Sequence, residues 1–238
     1  MPHEKRGKER TMLAADLMAE QSRNPEHDTQ GTAIKKQYEE LNHRFALKMA
    51  VVKQKLVDRG LIANSINEVR TLDRVKYMAA IPILVKALQH TDDDREKEAI
   101  AALLVSPYAT KAVPHLLDEF AKLPSGSLAK WKIADALSEC ASDRDFDALA
   151  ILVSDQAQGK AREMLTLALA RIPTASSINL LIRLLKDEQV CGHAIMALGR
   201  LNAVEAIGAI LPFLEHPKSW VRSEARKAVA LLRECQKE

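Results

Sequence analysis

Glycine is scarce in this chain, 8 of 238 residues, about half the roughly 7% usual in globular proteins. Aromatic residues make up only 4%. So little glycine leaves few places for two-residue hairpins, phosphate-cradling loops or tight strand-to-helix turns, which disfavours an all-β fold. Cysteine occurs three times, at Cys140, Cys191 and Cys235. These are far apart and show neither a C-x-x-C pair nor a Cys/His metal spacing, which excludes a disulfide framework. Each lies within or at the end of an apolar helical stretch, so reduced, mostly buried thiols are expected, and with them a cytoplasmic setting. No window approaches ~18 unbroken apolar residues, so no membrane span is expected. The N-terminal MPHEKRGKERTML has no apolar stretch of the signal-peptide kind. Charge of one sign is lacking too. Residues 1–78 carry 15 lysines and arginines against 11 acids, and residues 79–238 carry 20 against 21. Neither part has the field of a dedicated duplex-DNA binder.

What the chain does have is an internal repeat. From about residue 79 it reads as pairs of short helices. Five segments share a pattern of small residues three apart: Arg95-EKEAIAAL-Leu104, Lys130-WKIADAL-Ser138, Ala161-REMLTLAL-Ala170, Val190-CGHAIMAL-Gly199 and Val221-RSEARKAV-Ala230. Aligned on Ala102, Ala136, Ala168, Ala197 and Ala228, the steps are 34, 32, 29 and 31 residues. A second anchor lies three residues earlier, at Ala99, Ile133, Leu165, Ala194 and Ala225. Small residues at i and i+3 lie on one helix face and let a neighbouring helix approach closely. The first helix of each pair is patterned as well. Pro82 and Pro114 stand 32 residues apart in matching frames, where a first helical turn tolerates proline. Pro212 sits deeper, so a bend or late start is expected there. Asp93 or Asp94, Ser127, Thr174 and Ser219 are the expected N-caps.

The AxPxL first helix and the VR-x-x-A-x-x-A second helix resemble the HEAT-repeat family, in the short-period form also found in phycobilin-lyase-type proteins. The last unit, AIGAILPFLEHPKSWVRSEARKAVALL, carries the resemblance best, and the likeness runs over about residues 79–234. It implies an all-α, right-handed superhelical solenoid of about five helix pairs over residues 79–238. One pair cannot bury its own apolar stripe, whereas stacked pairs share a continuous core. The resemblance also implies a concave surface lined by the second helices, the surface such folds use to bind partners.

The N-terminal third reads differently. Residues 1–30 are dense in charge and are expected to form a flexible arm, with one short helix after Thr11. Residues 31–78 are expected to form a helical cap. Within it, one long helix over residues 32–59 carries Ile34, Tyr38, Leu41, Phe45, Met49, Val52 and Leu56 at steps of three and four, and Gly60 stops it. That stripe suits packing on the first repeat, or pairing with a second copy, so the chain is expected to be a monomer or a homodimer through this helix. A further helix around residues 66–79, starting near Asn64 or Ser65, would lead into the first repeat.

The search for chemistry finds no nucleophile elbow, dinucleotide fingerprint, phosphate loop or HExxH pair. No catalytic residue, cofactor or metal is therefore expected. His115 and His193 read as surface or packing histidines. Trp131 and Asp135, at i and i+4, share a helix face. A HEAT-like family of DNA glycosylases uses such a pair, with Trp220 as a possible second aromatic wall. A bilin-lyase role is the other enzyme-like alternative, carried by repeat style alone. The favoured function is a non-catalytic protein-binding scaffold: an adaptor, a chaperone-like holder or an inhibitor. Nucleic acid and membrane are disfavoured as partners. The concave-face candidates are Arg95, Glu98, Lys130, Trp131 and Asp135, followed by Arg162, His193, Trp220, Arg222 and Arg226.

Overall fold

The computed structural model describes residues 25–236, with side chains from residue 32. The expected helix after Thr11 lies outside the described residues. Contacts divide the chain into two units, Met1–Ala50 and Val51–Glu238. The helix α1, Pro25–Asp58, contributes to both. It begins seven residues before the expected start, at a proline whose missing N–H has no intrahelical partner there anyway. In the first unit Ile34, Tyr38 and Leu41 are exposed, while Phe45 and Met49 are half-buried. In the second unit Val52 and Leu56 are buried. Gly60 adopts φ +64° and closes the helix, with the Leu61 N–H donating to the Leu56 carbonyl at 3.0 Å. This left-handed turn is the one expected at that glycine.

The second unit contains five helix pairs: α2 (Arg74–Gln89) with α3 (Asp94–Leu103), α4 (Val113–Lys122) with α5 (Leu128–Cys140), α6 (Phe146–Ser154) with α7 (Arg162–Ala168), α8 (Ala175–Leu184) with α9 (Cys191–Arg200), and α10 (Ile207–Ile210) with α11 (Ser219–Cys235). No strand occurs among the described residues. The unit is an all-α solenoid. Its second helices form a continuous row, with α3 on α5, α5 on α7, α7 on α9 and α9 on α11. The first helices touch one another far less. The core runs between the two rows and is built from Leu84, Leu88, Leu116, Phe120, Ile133, Leu137, Leu149, Leu165, Leu181 and Ile195, all buried.

Local chemistry explains most boundaries. Asp93, Ser127 and Thr174 cap α3, α5 and α8 as expected, each side chain accepting from backbone N–H groups of the first turn. Ser219 does not cap; it is the first residue of α11, behind Lys218. Pro114 stands in the first turn of α4. Pro82 lies well inside α2, because Asp73 caps that helix and starts it at Arg74. The helix expected over 66–79 is therefore two pieces. A 3-10 turn, Ile66–Thr71, is closed by a Ser65/Glu68 capping box, and the start of α2 follows it. At Pro212 the α-helix gives way to a 3-10 turn, Leu211–Glu215, the expected departure.

Burial also corrects the repeat frame in the first pair. Ala99 and Ala102 are half-exposed, and Ile100 and Leu103 take the buried places that Ile133 and Ala136 hold in α5. The true anchors are Ile100 and Leu103, one residue beyond the expected ones.

Candidate functional site

With the frame corrected, one position repeats. Six residues before the buried anchor, Lys97, Lys130, Arg162 and Arg222 fall in register in α3, α5, α7 and α11. Each reaches back to a carbonyl at the end of its own first helix or, for Arg222, of the 3-10 turn that follows that helix. Lys97 Nζ donates to the Leu88 carbonyl at 3.3 Å, Lys130 Nζ to Leu123 at 2.7 Å, Arg162 Nε to Val153 at 2.7 Å and Arg222 to His216 at 2.7 Å. A helix leaves its last carbonyls without intrahelical partners, and a cation there meets the negative end of the macrodipole. In the fourth pair Cys191 holds the position, with its Sγ 3.8 Å from the Glu188 carbonyl.

Two of these cations also reach forward to the next pair. Lys97 bonds the buried Glu119 of α4, which Lys122 holds from its other side at 2.8 Å. Arg162, 1% exposed, bonds Asp187 at 2.6 Å and Gln189 at 3.1 Å. Burial works against the ionised form of Asp187 and Glu119. The facing cations outweigh it and hold both carboxyls below their ordinary range. Lys130 has no such carboxylate at bonding distance. Its Nζ lies 4.5 Å from the Phe120 ring centroid, and burial pulls its pKa down against the opposing charge of Asp155.

These bonds sort the ten expected partner-binding residues. Lys130, at 4% exposure, and Arg162 are buried and hold the fold, so neither reaches a partner. Arg222 is half-buried and turned onto the His216 and Pro217 carbonyls. Arg226 occupies the place where Ala101, Ala134, Thr166 and Ile195 are buried in the other second helices, and it is exposed. Arg95 is exposed in the first turn of α3. Glu98, Trp131, Asp135 and His193 are half-buried and lie on the open face of the second-helix row. Sequence reasoning missed Glu163, which shares the register of Glu98 and Trp131. It also missed the buried Lys97, which falls six before its anchor, as Lys130, Arg162 and Arg222 do, only once burial moves that anchor to Leu103.

On the open face, Lys132 pairs with Asp135 at 3.0 Å, and its Nζ sits 4.9 Å from the Trp131 ring centroid. The indole N–H of Trp131 is buried without a hydrogen-bond partner, so the accessible part of this side chain is ring carbon. Trp220 is 42% exposed and lies across Gly192. A Cβ at residue 192 would meet its ring at 2.1 Å, so only glycine permits the contact. The same indole packs on His193, with ring centroids 5.4 Å apart. Burial lowers the His193 pKa against the charges of Glu163 and Glu224, and its Nδ1 has no partner. His193 packs on a ring with one nitrogen left without a partner; His115 is exposed and sits 3.2 Å from Gln89 Nε2. A shallow depression of about 240 Å³ lies between α9 and α11, with Met196, Gly199 and Leu231 in its wall.

Cys140 and Cys191 are buried and Cys235 is half-buried, and burial pushes the Cys140 thiol up to about 12. Among the described residues no three His, Cys, Asp or Glu side chains converge as metal ligands. No described helix is long and apolar enough to cross a membrane.

Residues 146–230 match the family model for HEAT repeats. The third, fourth and fifth pairs are HEAT repeats. The match begins at Phe146, the first residue of α6, and ends within α11. The first two pairs lie outside it but keep the frame of buried anchors and back-reaching cation that the third pair shows. HEAT repeats generally serve as scaffolds for protein interaction. The match carries the repeat and not the phycobilin-lyase type. No curated protein matches the chain at a significant level.

Proposed function

We propose that the chain is a non-catalytic cytoplasmic scaffold that holds another protein along the open face of its second helices. The observation that supports this most is the make-up of that face. Half-exposed carboxylates, the Trp131 ring and small or flexible side chains such as Ala99, Ala102, Met164 and Met196 form one strip over adjacent helices. Aromatic and methionine surface among charges of both signs suits a protein partner. An adaptor, a chaperone-like holder and an inhibitor all use such a surface. A nucleic-acid or base-excision role has less support. Glu98, Asp135 and Glu163 repel phosphates, and Asp135 is already paired with Lys132.

The test is affinity capture from native lysate with the tagged chain, with nuclease present, at low and moderate salt. A protein retained in near-equal amount by the wild type, and lost when Trp131→Ala and Met164→Ala are combined, supports the scaffold. Recovery of nuclease-sensitive material that leaves with salt overturns it in favour of nucleic acid.

A further inference from the structure

The scaffold reading leaves open what chemistry the strip selects. Three residues in register narrow it. Glu98, Trp131 and Glu163 each follow the buried cation of their helix by one position, on α3, α5 and α7. These helices pack in that order, so the two glutamate positions lie on either side of Trp131 along the row. All three side chains are half-exposed. Among the described residues neither Glu98 nor Glu163 takes part in a salt bridge, whereas Asp135 is neutralised by Lys132. The accessible part of Trp131 is ring carbon, since its N–H is buried. Lys132 already places an ammonium by that ring. The chain as a whole carries a formal charge of +3, so this negative, aromatic spot runs against the net field.

We infer that Glu98, Trp131 and Glu163 form the recognition point for an arginine or lysine on the partner protein. The inference rests on the scaffold reading. A long basic side chain lays its methylene stem and its cation on the indole, and each end of that arrangement meets a carboxylate. Arginine suits the spot best, because its flat guanidinium stacks on the ring while its edges donate to the carboxylates. An acidic segment or a phosphate backbone is repelled by the same pair.

The test uses the full chain with Trp220→Phe, which leaves Trp131 as its one tryptophan. The probe is a short acetylated and amidated peptide alternating arginine and alanine. Its glutamate–alanine counterpart and a short DNA duplex are titrated in parallel, and Trp131 emission is followed. The arginine peptide alone is expected to shift the emission. Glu98→Gln with Glu163→Gln is expected to weaken its binding about tenfold, two modest charge pairs together. Lys132→Met, which removes a competing cation from the ring, is expected to tighten it. The glutamine pair conserves shape at half-exposed positions, and an unchanged melting temperature separates lost binding from lost fold. An emission response to the glutamate peptide or the duplex instead, or arginine-peptide binding that ignores the glutamine pair, overturns the inference. The scaffold reading is judged separately. If a partner captured from lysate binds the glutamine pair as well as the wild type but not the Trp131→Ala, Met164→Ala variant, the scaffold stands and the cation preference falls.

Discussion

The third and fourth helix pairs are joined by charge, and the fourth and fifth by an aromatic ring. At the first joint, Arg162 is sunk between pairs and satisfied by Val153, Asp187 and Gln189. At the second, Cys191 stands where the cation would be, and Trp220 reaches from α11 across Gly192 to His193. The difference teaches that the repeat requires only that each pair be tied to its neighbour. A guanidinium does this with directed bonds that need every partner in place. An indole does it with area and shape, which needs an empty place on the facing helix.

The largest effect is expected at the charged joint. Arg162→Ala takes the guanidinium from Asp187 Oδ2, Gln189 and the Val153 carbonyl, and is expected to cost about 3–5 kcal/mol, the range for breaking a buried pair. Urea denaturation with circular dichroism reads it, and a loss under ~1 kcal/mol would mean that water replaces the guanidinium without difficulty. At the aromatic joint, Gly192→Ala drives a methyl into the Trp220 ring, with an expected loss of about 1–3 kcal/mol. Combining it with Trp220→Ala should cost less than the sum of the two, because both remove one contact. Strict additivity would show that the ring and the glycine act independently.

Acid should separate the joints as well. The Asp187 carboxyl titrates lower in the folded chain than in the unfolded one. Its contribution is therefore whole above the ordinary carboxylate range and is lost as pH falls through that range and below the folded value. The stability gap between wild type and Asp187→Asn should narrow as pH falls from about 5 toward 3, while the Gly192→Ala gap stays level. Parallel curves for the two variants would remove charge from the account of the charged joint. The smallest effect is expected at Arg226, exposed at the end of the row. Arg226→Ala should change stability by no more than about 0.5 kcal/mol.

The helix pairs were legible from sequence because small residues at spacing three leave a trace at every turn. The register of the first pair was not. In Arg95-EKEAIAAL-Leu104 two small residues adjoin two large ones, and Ala102 fits the spacing as well as Leu103 does until burial decides. The repeat spacing counts Lys130 and Arg162 among the partner contacts because both lie outside the anchor frame, yet both are buried. Nothing local to Arg162 says that Asp187, 25 residues on, waits for it. Periodicity alone sets Glu98, Trp131, Asp135 and His193 outside the anchor frame, and all four are half-buried. The Trp220–Gly192 contact was beyond reach, since a glycine in a helix gives no sign of what lies on it.

The back-reaching cation has a consequence for how such a chain can grow or shrink. A pair whose cation bonds only its own first helix, as Lys130 bonds Leu123, brings that bond along and can be copied or deleted by recombination as one segment. The fourth pair lacks that cation and leans on a ring that its successor supplies. Cut between Arg200 and Ser219, the fourth pair would exchange its tryptophan for whatever residue the new neighbour offers. For any rearrangement of the gene, the last two pairs are one inheritable block.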